Sequence, residues 1–407
     1  MHEGEGVTVG APSPSPSPAA LGRAAAAIVA LTTVVSHAFG RSTYGLLLPA
    51  MEDSLGLTHA QAGLGGTVIY GAYLAGVVAV SILATRCEPI VIMRVGVGVG
   101  AVGLALVAAA QDLATLLPAL ALAGGAGAGI WITAPAIATA GVPPHRRGLV
   151  IGALSATIGG ATFLVGMGAR ALRAELGDGV WRPIWVVEAA VAAALLAGLV
   201  LVVRPAGTVR AGGGFSLARL RAVPSWGRIT GAYALFGAAG AGFAPFVVEA
   251  LEQDAGFTRA QASTIWAFMG VVAIPGAPLL GFFSDRLGRK PMMGGVLAAA
   301  GVGVSVVGRA SGPAAVAAVL LFGAVWSSFP TLTAAYVRDH ADARSFAAAF
   351  ATMTIFYSLA ALAAPYTVGW LADHGGGFAT PFLLLGALCA AGAGLIASLP
   401  AGAGRSS

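Results

Sequence analysis

The sequence predicts an all-α integral membrane protein of twelve transmembrane helices arranged as two pseudo-symmetric six-helix bundles. Three observations predict it. First, 57% of the 407 residues are hydrophobic and 9% are charged, against about 25% charged in a soluble domain; a surface with so few charges faces lipid. Second, the apolar residues fall in runs of roughly 20, the length that crosses the hydrocarbon core. Third, the chain resembles itself at a constant offset of 200 residues. The 60 glycines fit the same class, because small residues let membrane helices approach backbone to backbone.

Residues 1–22 stand apart. Glu3, Glu5 and the Pro-Ser alternation from Ser13 to Pro18 read as a disordered cytoplasmic tail, without the basic start of a cleaved signal peptide. Spans are expected near 24–48, 61–83, 92–110, 114–138, 149–171 and 183–203, and near 228–250, 261–283, 292–308, 313–336, 346–371 and 380–399. The first six make an N-terminal bundle over 23–203 and the last six a C-terminal bundle over 228–399. Segment 204–227 is rich in Gly and Arg and has no acid. It reads as a cytoplasmic linker lying near anionic headgroups. Residues 400–407 read as a short cytoplasmic tail.

Basic residues orient the chain. With both termini inside, sixteen Arg and Lys fall on the inner side and five (Arg170, Arg173, Arg182, Arg259, Arg309) on the outer side, with Arg41 left inside a span. The expectation is a multi-pass protein of the cytoplasmic (inner) membrane, both termini cytoplasmic. Its bases sit in short clusters between apolar runs, which speaks for lipid as the partner and against nucleic acid. Cys87 and Cys389 are the only cysteines, with no CxxC spacing, and no HExxH, Walker or GxSxG motif occurs; this argues against an enzyme, a metal site or a cofactor.

The repeat is clearest where Gly56-Leu57-Thr58-His59-Ala60-Gln61-Ala62 matches Gly256-Phe257-Thr258-Arg259-Ala260-Gln261-Ala262. Thr58 and Thr258 read as N-caps of the second and eighth helices, each with Gln three residues on. Glu52 aligns with Glu252, and Ser81 to Arg86 aligns with Gly281 to Arg286. Duplicated topology about a shared centre is an architecture of membrane carriers.

After the eighth span the chain reads Gly281-Phe282-Phe283-Ser284-Asp285-Arg286-Leu287-Gly288-Arg289-Lys290-Pro291. Gly281 permits close helix packing and Gly288 a tight turn. Asp285 sits at a helix C-terminus, unfavourable for an anion without compensation. This loop resembles the GxxxDRxGRK signature of the major facilitator superfamily, and the likeness runs from residue 23 to about 400. Gly40-Arg41-Ser42-Thr43-Tyr44-Gly45-Leu46-Leu47-Leu48-Pro49 and the stretch from Pro365 to Asp373 resemble the bacterial YbfB-like branch. The resemblance implies a cytoplasmic gate of Gly281, Asp285, Arg286, Gly288, Arg289 and Lys290, with Asp285 facing the N-terminus of the eleventh helix and Arg286 when closed. Asp339 or Asp342 is expected to pair with Arg289. The matching loop of the first half has Thr85 in place of the Asp, and Pro143-Pro144-His145-Arg146-Arg147 has no acid, so the latch should rely on the second half. The fourth span has Ala121 where proton-antiporting relatives carry an Arg, and the fifth lacks their Gly-Pro pair; both lower the case for a drug exporter.

His37, Arg41, Tyr44 and Leu48 follow helical spacing, with Thr33 expected on the same side. Three polar groups on one stripe point to an aqueous cavity, where a guanidinium suits a carboxylate; the alternative is an Arg bonded to backbone carbonyls at the outer mouth. Glu188 is the clear mid-span carboxylate, a candidate proton carrier or a partner for Arg182. Glu249 and Glu252, at an outer helix end, are expected to be solvated, and Asp254, Asp373 and His374 lie near outer loops without ligand spacing. The resemblance implies that spans one, four, seven and ten line the cavity, offering Trp131, Thr133, Tyr233, Phe236, Trp326, Ser327, Ser328 and Thr331, or else core packing for each. The expectation is a monomeric secondary transporter moving a small organic solute, preferably an anion, by alternating access, with protons as candidate coupling ions. The rivals are a proton-driven exporter of drugs or secondary metabolites and a transporter-like solute sensor.

Overall fold

The computed structural model describes residues 23–140, 142–177, 179–203 and 215–400. The expected tails, apart from Pro400, and residues 204–214 of the expected linker lie outside these residues. Twelve helices are long and apolar enough to cross a membrane: α1 (Ala24–Leu55), α2 (His59–Leu83), α3 (Pro89–Ala109), α4 (Leu113–Ala138), α5 (Val150–Leu176), α6 (Arg182–Val202), α7 (Trp226–Gln253), α8 (Arg259–Leu287), α9 (Arg289–Val307), α10 (Gly312–Asp339), α11 (Ser345–Gly375) and α12 (Ala379–Ala397). Every expected span corresponds to one of them.

The duplicated stretch builds the same joint twice. Gly56 and Gly256 take φ of 64° and 72°, the left-handed conformation that ends a helix cheaply only with glycine. Two residues on, Thr58 and Thr258 each accept the N–H of Gln61 and Gln261, whose side chains accept the threonine N–H in return. Both are reciprocal capping boxes. Elsewhere Pro89 starts α3 at a position where a missing N–H costs nothing, and Asp112 caps α4.

Packing repeats as well. In the first half α3 packs on α4 and α6 and α2 on α4; in the second α9 packs on α10 and α12 and α8 on α10. The halves are joined by α2 with α11, α5 with α8, α1 with α7 and, more lightly, α2 with α7. Cβ-less contacts allow the joint to be tight: a side chain on Gly45 would meet the backbone of Ala244 and Pro245, one on Gly63 that of Pro365, and one on Gly369 that of His59.

Two helices depart from regularity. Within α1, Val35–Ser42 is π-helical. Within α10, the helix breaks at Ser327, between Gly312–Trp326 and Ser328–Asp339. Of the expected linker, Leu217–Arg221 forms a short helix after the Ser216 cap, and the Ser216 N–H donates to Thr352 Oγ1 at 2.8 Å, seating it on α11.

The even number of spans puts both described chain ends at one end of the bundle, the terminal end. The far end carries the loops at 56–58, 110–112, 254–258, 308–311 and 376–378. The halves meet at the far end and centre. From there α5 and α8 stay in register through Gly166 on Ala267 and Gly159 on Gly270 and Ile274. Beyond them, towards the terminal end, no side-chain hydrogen bond or ion pair joins the halves among the described residues.

Candidate functional site

The π-helical turn of α1 decides which side chains reach the centre. The extra residue per turn rotates the remainder of the helix, and the expected stripe divides. His37 and Arg41 face the interface of the halves. The Arg41 guanidinium lies 4.6 Å from the Tyr70 ring centroid and 4.8 Å from that of Tyr73, both on α2. The His37 ring lies 4.5 Å from that of Trp131 on α4 and 6.4 Å from Tyr73, and Nδ1 shares a 2.5 Å bond with Ser36 Oγ. Tyr44 leaves this group: its hydroxyl donates to Ala62 O at 2.7 Å. Thr33 turns away too, sharing a 2.8 Å bond with Thr157 on α5.

The second half answers with aromatic rings. Tyr233 on α7 stands 4.7 Å from Tyr357 on α11 and 6.3 Å from Phe329. Phe236 lies 5.3 Å from Trp326, whose ring covers Gly240 so closely that a Cβ there would overlap it. Tyr70 packs with Ala361 and Ala364, and Tyr357 rests on that cluster, so the two halves touch here. Arg41, His37, Tyr73, Trp131, Trp326 and Tyr357 are each half-buried. They line a centre that is aromatic with one cation, and among the described residues Arg41 has no carboxylate or hydrogen-bond partner.

Other candidates are placed elsewhere. Thr133 is buried and donates to Gly129 O of its own helix at 2.6 Å. Ser327 donates to Ala273 O at 3.3 Å, tying the break in α10 to α8; Ser328 and Thr331 bond to carbonyls of their own helix. Glu188 is 2% exposed and accepts from Thr43 Oγ1 at 2.6 Å. It does not pair with Arg182, which donates to Ala110 O and Ser54. Glu188 lines a lateral groove of about 560 Å³ between α1, α5 and α6, with Leu31, Phe39, Leu164, Val187 and Leu195.

At the terminal end the 281–290 loop is organised around Arg289. Its Nη1 donates to Asp285 at 2.5 Å and Ser284 at 3.0 Å, and its Nε to Asp339 at 2.9 Å. Gly288 takes φ of 96° to make the turn. Arg286 lies on the Phe282 ring at 3.9 Å, not against Asp285, and Lys290 donates to Leu399 O. Asp342 accepts the Ser345 N–H at the start of α11. These bonds stay within the second half, and Asp285 is 65% exposed. Space is open around Gly281.

The far end holds groups that sequence reasoning missed. Glu249 and Glu252, expected to be solvated, are covered: the Glu249 side chain is 1% and that of Glu252 13% exposed. The reason is tertiary, since α7 ends against α1 and α2 of the other half. His59 Nδ1 lies 3.2 Å from Glu52 and 3.0 Å from Glu249. Arg259 holds Glu252 at 2.9 Å and Asp53 at 3.0 Å. Asp373 accepts the N–H groups of His59 and Ala60, and Asp254 that of Phe378. Burial lifts the Asp254 carboxyl above its usual range, against the pull of the Phe378 N–H. Arg173 donates to Ser263 and to the carbonyls of Arg259 and Leu46. The aligned pair Glu52 and Glu252, each seven residues before a base, was the visible signal. Tyr70, Tyr73 and Tyr357 were missed for a different reason: α2 and α11 enter the centre only because the halves meet there.

A family profile described as "Uncharacterised MFS-type transporter YbfB" matches residues 33–398. The fold is similar to that of the nucleoside transporter NupG, with a TM-score of 0.72 at 13% identity, covering 92% of this chain and 98% of that one. It is also similar to a bacterial homologue of the human lysosomal transporter Spinster in an inward-facing and occupied conformation, with a TM-score of 0.67 at 16% identity, covering 92% and 93%. No curated protein matches the chain.

Proposed function

The chain belongs to the YbfB-type family of major facilitator superfamily transporters, and from that premise we propose that it carries a small organic anion across the cytoplasmic membrane by alternating access, with Arg41 as the anion-binding residue. As a member it is a multi-pass membrane transporter and not an enzyme. The observation that carries the anion reading is the Arg41 guanidinium, laid on Tyr70 and Tyr73 without a carboxylate among the described residues. An Arg at mid-span costs about 2.5–3.5 kcal/mol on insertion scales. Stacking on ring faces recovers part of this and leaves the guanidinium edge free for two parallel bonds to a carboxylate. His37 beside Trp131 adds a second polar group, and Trp326, Tyr233 and Tyr357 offer apolar surface to the rest of the solute.

The excess of basic residues at the terminal end supports a cytoplasmic position for that end. The joined far end is then outside, and this conformation is open inward. In the opposite conformation the far end parts and the 281–290 loop, held in shape by Arg289, meets the first half. Protons are candidate coupling ions, with Glu188 as a candidate carrier.

The test is solute counterflow in liposomes, beside thermal stabilisation of the purified protein by a panel of carboxylates, nucleosides and cationic amphiphiles, since a ligand stabilises the state it binds. Carboxylates are expected to stabilise the wild type. Arg41→Ala is expected to insert normally and to lose roughly tenfold to a hundredfold in affinity, the worth of a charge-assisted bond of about 1.5–3 kcal/mol. Wild-type counterflow of the same anion in Arg41→Ala overturns the reading. The aromatic surroundings support a second reading, export of amphipathic drugs or secondary metabolites; stabilisation by cationic amphiphiles alone would favour it. Stabilisation without counterflow would favour a solute sensor.

A further inference from the structure

We propose that Glu52, His59 and Glu249 form a proton-binding site at the far end, and that an occupied site holds that end closed. The proposal rests on the alternating-access reading above and adds a ligand and a site to it.

The duplication makes a similar clamp twice, and the two copies differ in their base and in the acid it meets across the halves, Glu249 at 1% and Asp53 at 71% exposure. In each half the first residue of a capped helix is basic and reaches back seven residues to a glutamate of its own half. His59 reaches Glu52 at 3.2 Å, and Arg259 reaches Glu252 at 2.9 Å. Each base also crosses to an acid of the other half, His59 to Glu249 at 3.0 Å and Arg259 to Asp53 at 3.0 Å. Arg259 is permanently charged. His59 is a base that titrates near neutral pH in water. One arm of a two-armed clamp is therefore fixed and the other switches.

The surroundings give the sign. Glu52 and Glu249 have side-chain exposures of 8% and 1%, and one Glu249 oxygen, Oε2, is buried with no hydrogen-bond partner. Gln253 donates to the other at 2.9 Å. From α1 the groups facing the site are Glu52, Asp53 and Tyr44; from α2, His59; from α7 and its following loop, Glu249, Glu252 and Asp254; from α8, Arg259; from α5, Arg173; and from α11, Asp373. The aromatic face of Phe378 closes the His59 side at 5.3 Å. Carboxylates outnumber arginines here. With no proton in the site, two carboxylates from opposite halves share a buried pocket, and their repulsion pushes the halves apart. A proton on His59 puts a cation between them, and both gain a charge-assisted bond. Opening the far end takes Glu249 away from His59 and admits water, so the proton is held less tightly there. Acid on the far side thus favours closure of that end, and the advantage is lost as pH rises through the titration of the closed site.

The experiment places spin labels at Gln111→Cys and Arg309→Cys, on loops of opposite halves at the far end, in a Cys87→Ala, Cys389→Ala background. Distances are measured in lipid nanodiscs with EDTA between pH 5 and 8.5. The expected result is two populations whose closed-to-open ratio falls as pH rises, by up to about tenfold per pH unit for one linked proton. His59→Arg, which copies the fixed arm, is expected to stay closed throughout. Glu249→Gln is expected to flatten the change to less than about twofold per unit, since only one acid is left to gain from the proton. Two populations with a ratio independent of pH overturn the proton site alone. A far end that opens at no pH and with no solute overturns it together with alternating access. A pH response that persists in His59→Arg overturns it too. So does closure that EDTA abolishes at every pH, which would assign the three side chains, with ligand atoms within 4.8 Å of one another, to a divalent cation.

Discussion

Arg289 gathers Ser284 and Asp285 from the end of α8 and Asp339 from the end of α10, and the partners are unequal. Asp285 is 65% exposed and Asp339 23%. Water competes with the first pair and much less with the second. Arg289→Ala leaves Asp339 without its cation and is expected to cost about 2–3 kcal/mol. Asp285→Ala is expected to cost less than about 1 kcal/mol. Apparent Tm values of the two variants in detergent check the order; a larger drop for Asp285→Ala would show that the loop is held by another contact. A pairing of Arg289 with Asp339 or Asp342 was legible because charge is rare in this chain and each charged residue near a helix end has few partners to choose from; the packing of α9 on α10 selects Asp339. Glu249 was not legible. A carboxylate at a helix end is solvated in isolation, and only the packing of α7 on the opposite half covers it.

The π-helical turn Val35–Ser42 is the element on which the centre depends. It sets His37 and Arg41 towards α2 and α4 while Tyr44 points to Ala62. A regular helix advances 100° per residue, so deleting Ala38 should restore α-geometry and swing Arg41 away from Tyr70 and Tyr73 by roughly that angle. The expected outcome is a protein that inserts and melts near the wild-type temperature but loses stabilisation by carboxylates. Retained stabilisation would show that Arg41 reaches its ligand from either register. Ordinary helical spacing grouped Tyr44 with Arg41. The sequence carries no strong sign of the bulge, since Val35 to Ser42 contains residues that fit either helix. By contrast the paired capping boxes at Thr58 and Thr258 were legible, because a cap is a local interaction among four consecutive residues.

Across the full length of the transporter, α5 and α8 run together from Arg173 beside Ser263 to Gly159 beside Gly270 and Ile274. Continued towards the terminal end, that register brings Gly152 to the neighbourhood of Gly281. Both have open space around them in this conformation. If the halves rock about the centre, the room at Gly281 is filled when the terminal end closes. A Gly152→Cys, Gly281→Cys pair is expected to cross-link slowly in the conformation described here and several-fold faster when the far end is driven open. Equal rates in both conditions would count against rocking. The asymmetry expected from Thr85 and from the acid-free segment at 143–147 fits a gate whose shape is set inside the second half.

The number of spans, the duplication, the helix starts and the membrane class can all be read from the amino-acid order alone. Each of these obeys local rules: apolar runs must be long enough for lipid, and caps satisfy N–H groups within a few residues. Which polar groups meet is settled by the packing of the folded chain. Tyr70 and Tyr73 meet Arg41, and Glu188 turns to Thr43, through packing inside the first bundle; Tyr357 joins Tyr70, and His59 joins Glu52 to Glu249, because the two bundles come together. That juxtaposition depends on distances across the chain, which no local pattern encodes.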